Sequence, residues 1–151
     1  MADLTAGMIP LVANVPNGGV GLLTGTTVGT LGSNTNGITV YTAGTKGGRV
    51  YHLVASTDDT VAVNVNVYIL RGTAVIPLGL VNVPLSSGAT SGVLAFRDFL
   101  TPTSIYGLPS DSTGKFYIPL MPNDVLRVTT LANLTAAKTC WVTASGNDYQ
   151  T

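Results

Sequence analysis

The chain has 151 residues, seven Lys or Arg against seven Asp, no Glu, a single His, a single Cys and a formal net charge of zero. Only 9% of it is charged, against about 25% in an average soluble domain, so the acids and bases that catalysis assembles in one cleft are scarce. The basic residues Lys46, Arg49, Arg71, Arg97, Lys115, Arg127 and Lys138 are spread singly, without the stripe of a nucleic-acid reader.

Twenty-two Thr, 18 Val, 18 Gly and 8 Pro make this β chemistry: branched side chains suit a pleated surface, and Gly and Pro punctuate turns. The length fits one domain with a real core. Met1-Ala2-Asp3-Leu4 lacks the basic region and apolar run of a secretory signal. No segment approaches the roughly 18 apolar residues of a membrane span. The expectation is a protein made in the cytoplasm without a membrane partner.

Residues 1–48 hold many of the glycines, as in Asn17-Gly18-Gly19-Val20-Gly21 and Gly25-Thr26-Thr27-Val28-Gly29. They read either as an extended arm that finds a partner surface or as a first strand with long turns. From Arg49 the pattern sharpens, with Val50, His52 and Val54 alternating against Tyr51, Leu53 and Ala55. Ser56-Thr57-Asp58-Asp59 then turns the chain into the clearest strand. There Val61, Val63, Val65, Val67 and Ile69 face one way and Ala62, Asn64, Asn66 and Tyr68 the other. An exposed edge of that kind invites aggregation, so the strand is expected to be central or covered.

Arg71-Gly72-Thr73 leads into a strand over 75–83, which Pro77 and Pro84 assign to an edge or a bulge. After the loop 86–92, Val93, Phe96, Arg97 and Leu100 fall at helical spacing and predict one short helix, 93–100. Phe116 to Leu120, Val125 to Leu131 and Lys138 to Ser145 read as further strands. The fold class is all-β: an antiparallel β-sandwich or jelly roll with one short helix and an extended Gly-rich N-terminal arm, 1–48 preceding the sandwich of 49–151.

The chemistry-bearing residues give little. Asp58-Asp59 could contribute to a metal or acid–base site, but adjacent residues in a strand-like turn point apart, and a solvated turn is the plainer reading. Asp111-Ser112-Thr113-Gly114 lacks the dense acidic alternation of a Ca²⁺ loop. His52 has no neighbour at ligand spacing, and there is no nucleophile elbow, zinc pair or phosphate-binding Gly–Lys loop. Cys140 sits in an apolar alternating stretch and reads as a buried small hydrophobe. Asn133-Leu134-Thr135 matches a glycosylation pattern by chance. No catalytic, cofactor-binding or metal site is expected. Trp141, Tyr41, Tyr51, Tyr68, Tyr106, Tyr117 and Tyr149 are the residues that could stack on sugar rings, with core or subunit contact as the competing role.

The order from Phe96 to Tyr149 carries a resemblance. An apolar segment is followed by Tyr106-Gly107-Leu108-Pro109, Asp111 and Gly114, then by Phe116-Tyr117-Ile118-Pro119-Leu120-Met121-Pro122. Ala136-Ala137-Lys138-Thr139 then leads to Gly146-Asn147-Asp148-Tyr149. This resembles small auxiliary virion proteins of tailed phages, of which capsid decoration or cement proteins are the best-understood class. The resemblance implies a non-enzymatic, oligomeric protein, a trimer or dimer, on the capsid surface, bound to the major capsid protein or other virion proteins, with no cofactor, nucleic acid or membrane. Residues 1–48 are then the capsid-gripping segment. The alternative is a carbohydrate- or receptor-binding β-module of a tail or fibre, whose mark would be clustered exposed Tyr or Trp flanked by Asn and Asp.

Overall fold

The structure, a computed structural model, describes residues 13–25, 28–29, 36–88 and 96–150. Among these it is all-β: β1 (Ala13–Leu23), β2 (Ile38–Thr42), β3 (Gly48–Thr57), β4 (Val63–Arg71), β5 (Ala74–Val83), β6 (Arg97–Asp98), β7 (Ile118–Leu120), β8 (Val125–Thr130) and β9 (Cys140–Tyr149). One sheet runs β1-β9-β3-β6, with β7 also pairing β3, and the other runs β2-β8-β4-β5. All pairings between these strands are antiparallel. The two sheets pack as a sandwich whose shared core includes Leu53, Val65, Val67, Phe99, Leu126 and Val142.

β4 is the strand with the cleanest alternation, and it lies between β8 and β5, so neither of its edges is open. Val63, Val65, Val67 and Ile69 face the core; Val61 lies just outside the strand and is exposed. Asn66 and Tyr68 are buried as well, so the second face of β4 is covered at that end. β5 is an edge strand, and its register slips where Pro77 meets Tyr68. Both expectations raised by that proline are therefore met, since a residue without an N–H fits an edge and a bulge alike.

The Gly-rich segment is part of the sandwich where it is described. Ala13–Leu23 pairs with β9 along its length, and Ile38–Thr42 pairs with β8. The paired-strand reading holds there in place of the arm; residues 1–12 and 30–35 lie outside the described residues. The glycines serve close approach: a Cβ on Gly19 would stand 2.7 Å from the carbonyl oxygen of Val40, so β1 can lie over β2 only without one.

The expected helix over 93–100 is not there in its described part. Arg97–Asp98 is a short strand on β3, the Phe99 N–H donates to Leu53 O at 2.8 Å, and Phe99 is fully buried while Phe96 is exposed. The apolar spacing suited one face of a helix, but the open edge of β3 offered backbone partners, and sheet pairing won. Asp98 Oδ1 accepts from the Leu100 N–H at 2.8 Å and turns the chain away from the sheet. The remainder of that predicted helix, 93–95, lies outside the described residues.

Candidate functional site

β3 does not keep strict alternation. Its register against β9 shifts between Val50 and His52, so Tyr51 and His52 both face outward while Val50 and Leu53 are buried. A bulge of this kind re-aims side chains. Gly146, opposite Val50, makes room for it, because a Cβ there would stand 2.0 Å from Arg49 O. The outcome is an outward row of Arg49, Tyr51 and His52 at one end of the larger sheet.

Two further elements complete this face. The Tyr117 ring lies 5.8 Å from that of Tyr51, tilted by 48°. Tyr149, at the end of β9, accepts a hydrogen bond from Arg49 Nε at 2.7 Å. The Arg49 guanidinium sits 4.7 Å from the Tyr117 ring centre and 5.5 Å from that of Tyr149, within cation–π range of both. Lys115 Nζ lies 5.5 Å from the Tyr51 ring centre and 3.2 Å from His52 Nε2, so that nitrogen is the acceptor.

Lys115 is held by the turn Asp111-Ser112-Thr113-Gly114, the segment whose sequence lacks the acidic alternation of a Ca²⁺ loop. Asp111 Oδ1 accepts from the Thr113 hydroxyl at 2.6 Å and from the N–H groups of Thr113 and Lys115 at 2.8 and 3.0 Å. The Thr113 hydroxyl, then the Lys115 N–H, hold the Asp111 carboxyl below its usual range against a small opposing effect of burial.

Clefts open on either side of the Arg49 cluster. One of about 370 Å³ is bounded by Tyr51, His52, Lys115, Pro16, Asn17 and Asn147. The other, of about 470 Å³, is bounded by Tyr149, Lys46, Arg71, Pro119 and Met121. Among the described residues the salt bridge is Arg71–Asp124, at 2.7 Å, and neither Arg49 nor Lys115 forms one, although the Lys115 charge helps to lower the Asp111 carboxyl.

The carboxylates are spent on the scaffold. Asp59 is 1% exposed and accepts from the Thr135 hydroxyl and N–H at 2.6 and 2.8 Å and from the Val61 N–H at 3.2 Å. Burial pushes its carboxyl up, and the bonds from Thr135, Val61 and Thr60 outweigh this and leave it below the usual range. Asp58 accepts from the Thr139 N–H at 2.7 Å. The solvated turn expected for this pair is in fact a built network, in which Thr135 of the glycosylation pattern uses its hydroxyl. Asp124 accepts bidentately from Arg71, which lowers its carboxyl first and most, and it also takes the Met121 N–H. Asp148 turns inward to the Tyr41 hydroxyl at 2.9 Å and to Asn17 at 2.8 Å.

Cys140 is fully buried, and its thiol is pushed up to about 12 by burial first and by Asp58 and Asp59 after it. Of the aromatic candidates, Tyr41 and Tyr68 are in the interior, and Tyr106 is exposed at a turn. Trp141 faces outward between buried Cys140 and Val142, level with Leu22 of β1. Tyr51, Tyr117 and Tyr149 are the three that come together. Arg49 and Lys115 were not singled out from the sequence, although Arg49-x-Tyr51 has the period-two spacing that puts cation and ring on one strand face, and Lys115-x-Tyr117 repeats that spacing just ahead of β7.

Comparison of the chain with protein-family models, with curated proteins and with solved structures finds no match.

Proposed function

We propose that this protein is a non-enzymatic structural component of a virion, a capsid decoration or cement protein that binds the assembled coat lattice and stabilises it. The observation that carries this reading is an exposed apolar stripe on the outer face of the larger sheet. Val20 and Leu22 of edge strand β1 are 63% and 46% exposed, and Trp141, directly across from Leu22, is 40% exposed. A Trp beside aliphatic side chains is the composition of an interface centre.

One structural feature supports it. Each described Asp is committed to a turn or an inter-strand bond, which leaves the carboxylates holding shape. A cement protein acts by mass action, since whatever binds only the assembled lattice stabilises it. The resemblance of 96–149 to tailed-phage auxiliary proteins points the same way.

The test is a count of copies in purified particles against the major coat protein by quantitative mass spectrometry. A fixed ratio set by lattice symmetry supports the reading, and absence from particles sinks it. Trp141→Ser and Leu22→Asp, which alter an outward face, are expected to abolish particle binding while the sandwich still folds. Removing the first 37 residues would delete β1 and so would not separate particle binding from folding.

A further inference from the structure

The Arg49 cluster and the clefts beside it form one track. In order across the face stand Lys115 with His52, Tyr51, Arg49, Tyr149, and then Lys46 with Arg71, so that cations and phenol rings alternate. Lys46, His52, Arg71 and Lys115 are exposed, and Arg49 is partly so. Of the three nearby carboxylates, Asp148 turns inward to Tyr41 and Asp111 is held in its turn beside Lys115, while Asp124 pairs with Arg71, so the charges open to a ligand are those of Arg49, Lys115 and Lys46. Arg49 is oriented by Tyr149 through Nε alone at short range, and its terminal nitrogens come no nearer than 3.5 Å to the Tyr51 hydroxyl. A planar guanidinium fixed in this way presents a fork suited to a carboxylate.

We propose that this track binds an acidic polysaccharide, a linear chain carrying a carboxylate on successive sugar units, with Arg49 and Lys115 as the carboxylate-binding residues. A repeating anion matches repeating cations, and the flanking clefts give the sugar rings room beside Tyr51 and Tyr149. Single-stranded nucleic acid fits less well. Base stacking needs open ring faces, whereas Arg49 lies over the rings of Tyr117 and Tyr149 and Lys115 over that of Tyr51. The inference goes beyond the virion reading and stands independently of it.

The experiment is calorimetric titration of the full chain with hexagalacturonate at about 50 mM salt, where charge pairing is weakly screened. Maltohexaose, hexaglutamate and oligothymidylate serve as comparators. Hexagalacturonate is expected to bind, and maltohexaose to bind at least about tenfold more weakly, the scale of one lost charge-assisted contact. Arg49→Gln is expected to weaken hexagalacturonate about tenfold, and Lys115→Gln about threefold to tenfold. Lys115→Gln changes an exposed side chain and keeps the test valid should Arg49→Gln lose the fold. No binding of hexagalacturonate overturns the proposal. Equal binding of hexaglutamate overturns it in favour of an acidic peptide, and equal binding of oligothymidylate in favour of single-stranded nucleic acid. Full affinity in a folded Lys115→Gln variant overturns the assignment of that residue.

Discussion

The two ends of β3 treat charge in opposite ways. Beyond Thr57, Asp58 and Asp59 meet the hydroxyls and N–H groups of Thr135 and Thr139, and the Ser86 N–H donates to Asp59 O at 2.7 Å. Near Gly48, Arg49 and Lys115 meet tyrosine rings and a histidine, and among the described residues neither forms a salt bridge, although the Lys115 charge acts on Asp111. The first end is a closed polar network that fixes loops against one another. The second is an exposed surface whose cations form no salt bridge among the described residues, the kind of surface on which complementary charge steers association. Few charged residues therefore do not make a featureless protein; what matters is where their counter-charges are used.

The sharpest way to break this contrast is at the bulge. Gly146→Val puts side-chain atoms into Arg49 O, and overpacking of this sort is expected to cost about 3 kcal/mol or more. The check is a large fall in denaturant midpoint together with loss of the Tyr51 and His52 arrangement in NMR spectra; a wild-type midpoint would show that the bulge tolerates a side chain.

At the closed end, Asp59→Ala removes a buried charged acceptor from its hydrogen bonds with Thr135 and Val61, at an expected cost of about 2 kcal/mol. Urea unfolding measures it. At the open end, Arg49→Gln loses exposed cation–π contacts, worth under about 1 kcal/mol. A stability loss at Arg49 equal to that at Asp59 would erase the distinction between the two ends.

Acid sharpens the same contrast. Asp59, Asp111 and Asp124 all have folded values below their ordinary ones. Their stabilisation is complete above the unfolded carboxylate value near pH 3.9 and is lost as pH falls through the folded values. Stability should hold down to about pH 4 and then drop. Asp59→Asn should flatten that drop, and a pH titration of the midpoint for the two proteins decides it. The smallest effect is at Cys140, pinned beside the closed network: its thiol should react with a disulfide reagent at pH 8 only as fast as the protein unfolds. Rapid labelling would mean that this end opens.

Much of the sandwich was legible because its signals are local. The alternation of Val63 to Ile69, the turn at Arg71-Gly72-Thr73 and the prolines of β5 each act within a few residues, and the sheets follow them. The spacing of Val93, Phe96 and Leu100 misled because it counts side chains and ignores the backbone groups β3 left open to Arg97–Asp98. The glycines of β1 suggested freedom, and the fold uses them for contact.

By itself the sequence determined an all-β chain, poor in acids and bases, with Cys140 inside. Tertiary structure alone decided the face. Arg49 and Tyr149 are 100 positions apart, and His52 and Lys115 are 63 apart. The first pair meets because β3 runs beside β9, and the second because one bulge in β3, permitted by the missing side chain of Gly146, turns Tyr51 and His52 outward together. A period-two pattern cannot announce its own interruption, since a bulge is chosen by what the neighbouring strand allows.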